Sequence, residues 1–141
     1  MRLWHQSLIP YLDRERLLGQ HRECCALRGK GWGKKHATVD YVFKYSREKL
    51  FAYHAIVMNE MCKRGYSACE DWWYSKYHGK ALGFNYEEEN LTPDYFVKNE
   101  TVFYPEHDWA YLLECIDLLK KKNAPIDFER LEKELNIKGE K

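Results

Sequence analysis

Residues 13–36 read DRERLLGQHRECCALRGKGWGKKH, and this stretch organises the rest of the chain. Its first half predicts a helix from Arg14 to Arg28, because the run contains no proline and only Gly19 is a weak helix former. Asp13 is a typical N-cap residue, since its carboxylate can accept hydrogen bonds from backbone N–H groups two or three residues on. The helix is therefore expected to begin directly after Asp13.

The predicted helix has two different sides. At about 100° per residue, one side collects Leu17, Leu18, His21, Cys24 and Cys25. Glu23 falls almost opposite, on a face shared with Arg16, Gly19, Gln20 and Ala26. Because small residues lie one turn before and one turn after Glu23, another molecule can approach its carboxylate closely. Glu23 is either a reactive carboxylate or a solvated glutamate on the wet side of an amphipathic helix.

The second half of the stretch, residues 29–36, is rich in glycine and positive charge. Its three glycines alternate with Lys30 and Trp32, and Lys34, Lys35 and His36 follow. Glycine lets a backbone approach a partner closely, and the lysines favour an anionic partner. The alternative is a flexible basic loop.

Charge is distributed unevenly along the 141 residues. The net charge is +1, but residues 1–49 hold 11 Lys or Arg against 5 Asp or Glu, and the remainder is net acidic. A basic N-terminal part and an acidic C-terminal part would orient a polyanion onto one side of the protein. Aromatic residues reach 16%, enough to fill a core and to offer stacking surfaces for bases.

Several protein classes are not expected. Five cysteines without a paired CxxC spacing do not indicate a disulfide framework. Residues 1–10 contain no extended apolar run typical of a signal peptide, and no segment approaches the roughly 20 apolar residues of a membrane span. We expect a cytoplasmic protein with no membrane contact.

The remaining pattern predicts an all-α fold in a single compact domain, residues 1–141, with three principal helices and long aromatic-rich connections. Residues 1–12 are expected to form an extended N-terminal arm, broken by Pro10 and anchored by Leu3, Trp4, Leu8 and Ile9. Residues 37–44 are ambiguous between helix and strand, and helix is favoured. The other predicted helices are 46–64 with Ser46 as its cap, 105–122 with Pro105 in its first turn, and 128–135 with Asp127 as its cap, within a C-terminal tail of 123–141.

Two further patterns leave alternatives open. Residues 72–80 interleave aromatic and basic groups, which could stack on bases or form a packed loop over the core. Zinc could be bound by His21, Cys24, Cys25 and His36, which carry the ligand atoms that this metal prefers. Adjacent cysteines on a helix diverge by about 100° and lack the usual ligand separation, so no metal is expected.

The opening residues 1–6 and residues 19–29 resemble a bacterial branch of the phage-type pyrimidine-dimer DNA glycosylase/AP lyase family, and four short motifs together resemble the family as a whole. They are His21-Arg22-Glu23, Lys34-Lys35-His36, Met61-Cys62-Lys63-Arg64-Gly65-Tyr66 and Tyr104-Pro105-Glu106-His107. Their order and approximate spacing span most of the chain as far as about residue 122. The resemblance implies an all-α fold and DNA repair chemistry without a metal or other cofactor.

The resemblance also implies roles for individual residues. The terminal amine, here that of Met1, would be the Schiff-base nucleophile, and Glu23 would be the catalytic carboxylate. An α-amino group has an unperturbed pKa of about 7.7–8.0, so it is partly unprotonated at neutral pH. The expected DNA contacts are Arg2, Arg22, Arg28, Lys30, Lys34, Lys35 and His36.

Two positions depart from the family pattern. Phage members expose a small residue after methionine removal, whereas Arg2 is too large for ordinary trimming, so Met1 is expected to be retained. Ala26 stands where the phage pattern has an arginine, and Arg28 is a candidate substitute. Both departures concern lesion specificity more than reaction type.

The sequence therefore favours a monomeric glycosylase with AP lyase activity, acting on pyrimidine dimers in double-stranded damaged DNA. Two alternatives stay open: a non-catalytic nucleic-acid-binding module of the same fold, and a glycosylase for a different lesion.

Overall fold

A computed structural model of the protein describes residues 2–29, 31–32, 40–45, 47–67, 70–85 and 104–137. Five α-helices lie in these ranges: α1 (Arg14–Arg28), α2 (Arg47–Lys63), α3 (Gly79–Leu82), α4 (Trp109–Lys121) and α5 (Phe128–Glu134). Short 3₁₀ helices cover Gln6–Tyr11, Asp40–Lys44 and Glu70–Trp73. Within the described ranges the β structure is limited to one isolated bridge between Tyr77 and Phe84, so the all-α prediction is confirmed.

Helix α1 has the predicted bounds. The Asp13 carboxylate accepts from the Arg16 N–H at 3.4 Å and also forms an ion pair with the Arg16 guanidinium at 3.2 Å. At the other end the Gly29 N–H donates to the carbonyl oxygens of Cys25 and Ala26. Both ends of the helix therefore have the backbone partners that a helix terminus needs.

Helix α2 is the central element of the core. Nine of its side chains are buried, and it packs along α1. It ends where predicted, because Gly65 adopts a φ of 86° that favours glycine and donates its N–H to the Cys62 carbonyl at 3.0 Å. Ser46, its predicted cap, lies outside the described residues, as do residues 86–103 with the acidic run Glu87–Glu89.

The C-terminal helices begin at aspartate caps. In α4 the Asp108 carboxylate accepts from the Tyr111 N–H at 2.9 Å, and in α5 Asp127 accepts from the Arg130 N–H at 3.1 Å. The prediction for α5 is confirmed to within one residue. The prediction that Pro105 occupies the first turn of α4 is wrong, because Asp108 caps the helix and Pro105 lies in the preceding turn.

The N-terminal segment differs from the predicted extended arm. Residues 2–5 are non-helical, but Gln6–Tyr11 form a 3₁₀ helix that contains Pro10. The His5 ring nitrogen Nδ1 accepts from the Ser7 N–H at 3.1 Å and starts this helix. The predicted anchors are confirmed, since Leu3, Leu8 and Ile9 are fully buried and Trp4 nearly so.

One hydrophobic core joins the N-terminal segment to the long helices. It contains side chains from residues 3–12, α1, α2, α4 and α5, for example Leu8, Leu17, Val57, Leu119 and Leu131. None of the described helices combines the length and apolar character needed to cross a membrane.

His107 ties the N-terminal segment to the start of α4. Its Nδ1 accepts from the Gln6 N–H at 3.2 Å, and its Nε2 lies 2.6 Å from the Tyr41 hydroxyl oxygen. Burial, followed by the nearby His5, lowers the pKa of His107 from 6.5 to about 3. The folded protein therefore holds this ring neutral.

We expect His107 to make the protein less stable in acid. The unfolded chain takes up a proton below pH 6.5 while the folded chain does not, so its contribution is complete above pH 6.5 and is lost as the pH falls towards 3. For one such ring, the free energy of unfolding is expected to fall by at most about 1.4 kcal/mol per pH unit. Urea unfolding of the wild type and His107→Gln at several pH values between 7 and 5 measures this. Equal pH slopes for the two proteins would contradict the assignment.

Candidate active site

Glu23 lies on α1 with a half-buried side chain. It is four residues after Gly19, so the two positions share a helix face, as predicted. Within the described ranges, neither an ion pair nor a hydrogen bond links its carboxylate to another side chain.

A cationic cleft lies beside this face of α1. Its volume is about 440 Å³, and its lining residues are Arg2, Trp4, Glu15, Arg16, Gly19, Arg22, Leu118 and Lys122. Four of these side chains are cationic and one is acidic. A cleft lined mainly by one sign of charge concentrates counter-ions, here anions such as phosphates. Glu23 lies one turn beyond Gly19 and is not itself part of the lining.

The first residues of the chain are held against α1 by Gln20. Its Nε2 donates to the Arg2 carbonyl at 3.1 Å, and its Oε1 accepts from the Trp4 N–H at 2.6 Å. Gln20 is three residues before Glu23 and is 1% exposed. The beginning of the described chain is thus fixed on the helix that carries Glu23.

Tyrosines from two other helices complete the backbone contacts of the same segment. The Tyr111 hydroxyl of α4 donates to the Leu3 carbonyl at 2.5 Å. The Tyr53 hydroxyl of α2 lies 2.6 Å from the Trp4 carbonyl oxygen. Burial raises the pKa of Tyr53 well above its usual value, so it is a neutral donor. Side chains of three helices therefore fix residues 2–4.

The structure places the other predicted residues in two groups. Arg2 and Arg22 both line the cleft; Arg22 is exposed, and Arg2 forms an ion pair with Glu114 at 2.8 Å. Outside the described residues lie Met1, Lys30, Lys34, Lys35 and His36. Those five assignments stay predictions.

The predicted phosphate contact of Arg28 is contradicted by its burial. Its side chain is in the interior, with Arg28 only 3% exposed, and its Nη1 donates to the Trp72 carbonyl at 2.8 Å. Its Nη2 donates to the carbonyls of Tyr74 and Tyr77 at 2.8 and 3.2 Å. Arg28 holds the 72–77 segment against α1, so this part of residues 72–80 is a packed loop, one of the two alternatives left open by the sequence.

Glycines in the loop after α1 allow contacts within the chain. A Cβ on Gly31 would lie 2.7 Å from the Ala26 carbonyl oxygen, which is too close for any other residue. The Gly31 N–H donates to that same oxygen at 2.9 Å. In the described part of the loop, Gly31 therefore approaches the end of α1 in the same chain.

The cluster that resembles a metal site differs from the one considered from sequence. Cys24 is fully buried in the core, and His36 is outside the described residues. Instead His54 joins His21 and Cys25: the His21 Nδ1 lies 2.8 Å from His54 Nε2, and the Cys25 Sγ lies 3.9 Å from each nitrogen. These distances leave a point about 2.1 Å from all three atoms, close to zinc bond lengths.

Arg28 opposes metal binding at this cluster. Its Nη1 lies 2.9 Å from His54 Nδ1, and because a guanidinium only donates, that nitrogen must accept. In a neutral ring the proton is then on Nε2, where it is donated to His21 instead of leaving a lone pair for an ion. Burial lowers the pKa of both histidines, which favours neutral rings. The cluster is explained as a directed hydrogen-bond chain, and His54 is a hydrogen-bonded core histidine of α2.

Three residues of the site were not singled out from sequence. Gln20 was placed on the face of Glu23, but its burial against residues 2–4 depends on a contact across 16 residues. Arg16 was assigned to that face without a role. Lys122 is only the last residue of the predicted helix 105–122, and its place in the cleft depends on the tertiary structure.

A family model described as pyrimidine dimer DNA glycosylase matches residues 1–74. The match includes the N-terminal segment, α1 with Glu23, and α2. No curated protein and no solved structure shows a significant match to the chain. The chain belongs to the pyrimidine dimer DNA glycosylase family, which implies damaged DNA as its substrate.

Proposed function

We propose that the protein is a glycosylase with AP lyase activity, in which the Met1 amine is the nucleophile and Glu23 is the catalytic carboxylate. One observation carries the proposal. Arg2, the residue next to Met1, lines the same cationic cleft as Gly19, one helical turn from Glu23. Because Arg2 is too large for ordinary methionine trimming, the amine belongs to a retained Met1.

The first chemical stage removes the damaged base. The unprotonated amine attacks C1′ of the damaged nucleotide, the bond from C1′ to the base nitrogen breaks, and the base leaves with the bonding electrons. Positive charge develops on the sugar in this step, and the Glu23 carboxylate stabilises it. Opening of the sugar ring then gives an imine between the amine and C1′.

The second stage cuts the strand. A general base removes a proton from C2′, the bond from C3′ to its oxygen breaks, and the 3′ phosphate leaves by β-elimination. Glu23 accepts and donates the protons that move in this stage. It is the carboxylate on the helix that also binds residues 2–4. Water then releases the sugar fragment from the amine.

DNA binding uses the cationic cleft and the loop that follows α1. Arg2 and Arg22 contact phosphates, and Arg16 and Lys122 add to the same positive surface. Lys30, Lys34, Lys35 and His36 extend these contacts along the backbone, whereas Arg28 is not among them. The substrate is double-stranded DNA of the nucleoid, with the damaged nucleotide flipped out of the duplex. The protein acts as a monomer.

The chemistry is tested by borohydride trapping of the imine on abasic and dimer-containing duplexes. We expect Glu23→Gln to lower strand cleavage about 10²–10⁴-fold, because a carboxylate is lost at the reacting centre. Acetylating the Met1 amine of the wild type near pH 7, where lysine side chains stay protonated, should abolish the trapped complex. Glu48→Gln, which removes an exposed carboxylate of α2, is the matched control and should leave cleavage unchanged.

Three outcomes would contradict parts of this proposal. DNA binding without cleavage at abasic sites would indicate a non-catalytic nucleic-acid-binding module. Cleavage of an abasic duplex with removal of an oxidised base, but not of a dimer, would indicate a different lesion. A trapped complex that persists after the Met1 amine is blocked would exclude that amine as the nucleophile.

The cleft is tested by the salt dependence of DNA affinity. Arg22→Ala should weaken binding to all duplexes and reduce the slope of log K against log salt by about one, as expected for one lost phosphate contact. Lys133→Ala removes the same charge from exposed α5 and should leave the slope unchanged. Fluorescence anisotropy at several salt concentrations measures both. Equal slopes for Arg22→Ala and the wild type would remove Arg22 from the DNA contacts.

A further inference from the structure

The Gln20 amide has a single orientation that satisfies its partners. Its oxygen faces one certain donor, the Trp4 N–H at 2.6 Å, and its nitrogen faces one certain acceptor, the Arg2 carbonyl at 3.1 Å. Reversing the amide would bring two donors together and two acceptors together. The Tyr53 hydroxyl, 2.8 Å from the Gln20 oxygen, adds a third contact.

The two backbone groups that Gln20 binds are a pair that a neighbouring β-strand would bind in a sheet. In an extended segment the carbonyl of one residue and the N–H of the second residue after it point to the same side. Gln20 pairs with both groups through one side-chain amide, as the N–H and C=O of one residue in a sheet partner would. Because Gln20 belongs to α1, residues 2–4 are positioned directly on the helix that carries Glu23.

From this arrangement we infer that Gln20 is a positioning residue for the nucleophile, an inference that rests on the proposed function. Gln20 has no direct part in the chemistry. It fixes the Arg2 carbonyl, and consecutive Cα atoms are about 3.8 Å apart, so the amine of residue 1 is tethered one residue from this fixed point. The bonds from Tyr53 and Tyr111 hold later atoms of the segment and come from helices without Glu23. Gln20 alone among these three links the segment to α1.

The test is Gln20→Glu, which keeps the shape of the side chain. The new carboxylate still accepts from the Trp4 N–H but has no donor for the Arg2 carbonyl, and an oxygen now faces that carbonyl oxygen. We expect the single-turnover rate of imine formation to fall about 10²-fold, the loss typical of a misplacement of about 1 Å. The Kd for abasic duplex should change less than about threefold, because no phosphate contact is removed.

A stability-matched control separates positioning from general destabilisation. Leu131→Ala in α5 removes a buried core side chain but none of the hydrogen bonds to residues 2–4, and should keep the wild-type rate at a temperature where it is folded. An equal rate loss in Leu131→Ala would overturn the inference. So would a wild-type rate for Gln20→Glu.

A milder variant keeps the inference testable if Gln20→Glu does not fold. Gln20→Met keeps the length of the side chain and carries no charge but has no donor for the Arg2 carbonyl, and should slow imine formation about tenfold without weakening DNA binding. An unchanged rate in this variant would then overturn the inference. If the wild type itself gives no trapped complex, the proposed function fails, whereas a wild-type trap with unaffected variants removes only the role of Gln20.

Discussion

The hydrogen bonds between the Gln20 amide and the backbone of residues 2 and 4 are the constraint on which the site depends. Leu3 and Trp4 are buried in the core, so the polar groups of their backbone are withdrawn from water and need partners within the protein. There is no sheet beside them in the described structure, and side chains of α1, α2 and α4 supply those partners. Leaving one such group without a partner costs about 1–3 kcal/mol. The same bonds therefore stabilise the fold and fix the start of the chain beside the cationic cleft.

Elements with strong local signals could be predicted from the sequence. Helices α1 and α5 each begin after an aspartate whose carboxylate binds a backbone N–H, and this signal needs only neighbouring residues. Where two local signals competed, the prediction was wrong: Pro105 suits a first helical turn, but the cap at Asp108 set the start of α4. The 3₁₀ helix at Gln6–Tyr11 was missed because its first turn depends on the side chain of His5, a contact that hydrophobic periodicity does not reveal.

The site was predicted only as far as one helix determines it. The helical period placed Glu23, Gly19 and Gln20 on one face, and the structure puts Gly19 in the cleft and Gln20 against the N-terminal segment. Whether a polar residue on that face meets solvent or backbone depends on where the first residues of the chain pack, which local sequence does not determine. Arg28 shows the same limit, since the carbonyls it binds are 44–49 residues away and turn an apparent DNA contact into a buried support.

The most direct measurement is a crystal structure of the borohydride-reduced complex with an abasic duplex. The account predicts a covalent bond from the Met1 nitrogen to C1′, with a Glu23 carboxylate oxygen within about 3.5 Å of the sugar and Gln20 bonded to the Arg2 carbonyl. A bond to a lysine side chain, or a Glu23 carboxylate remote from the sugar, would contradict it.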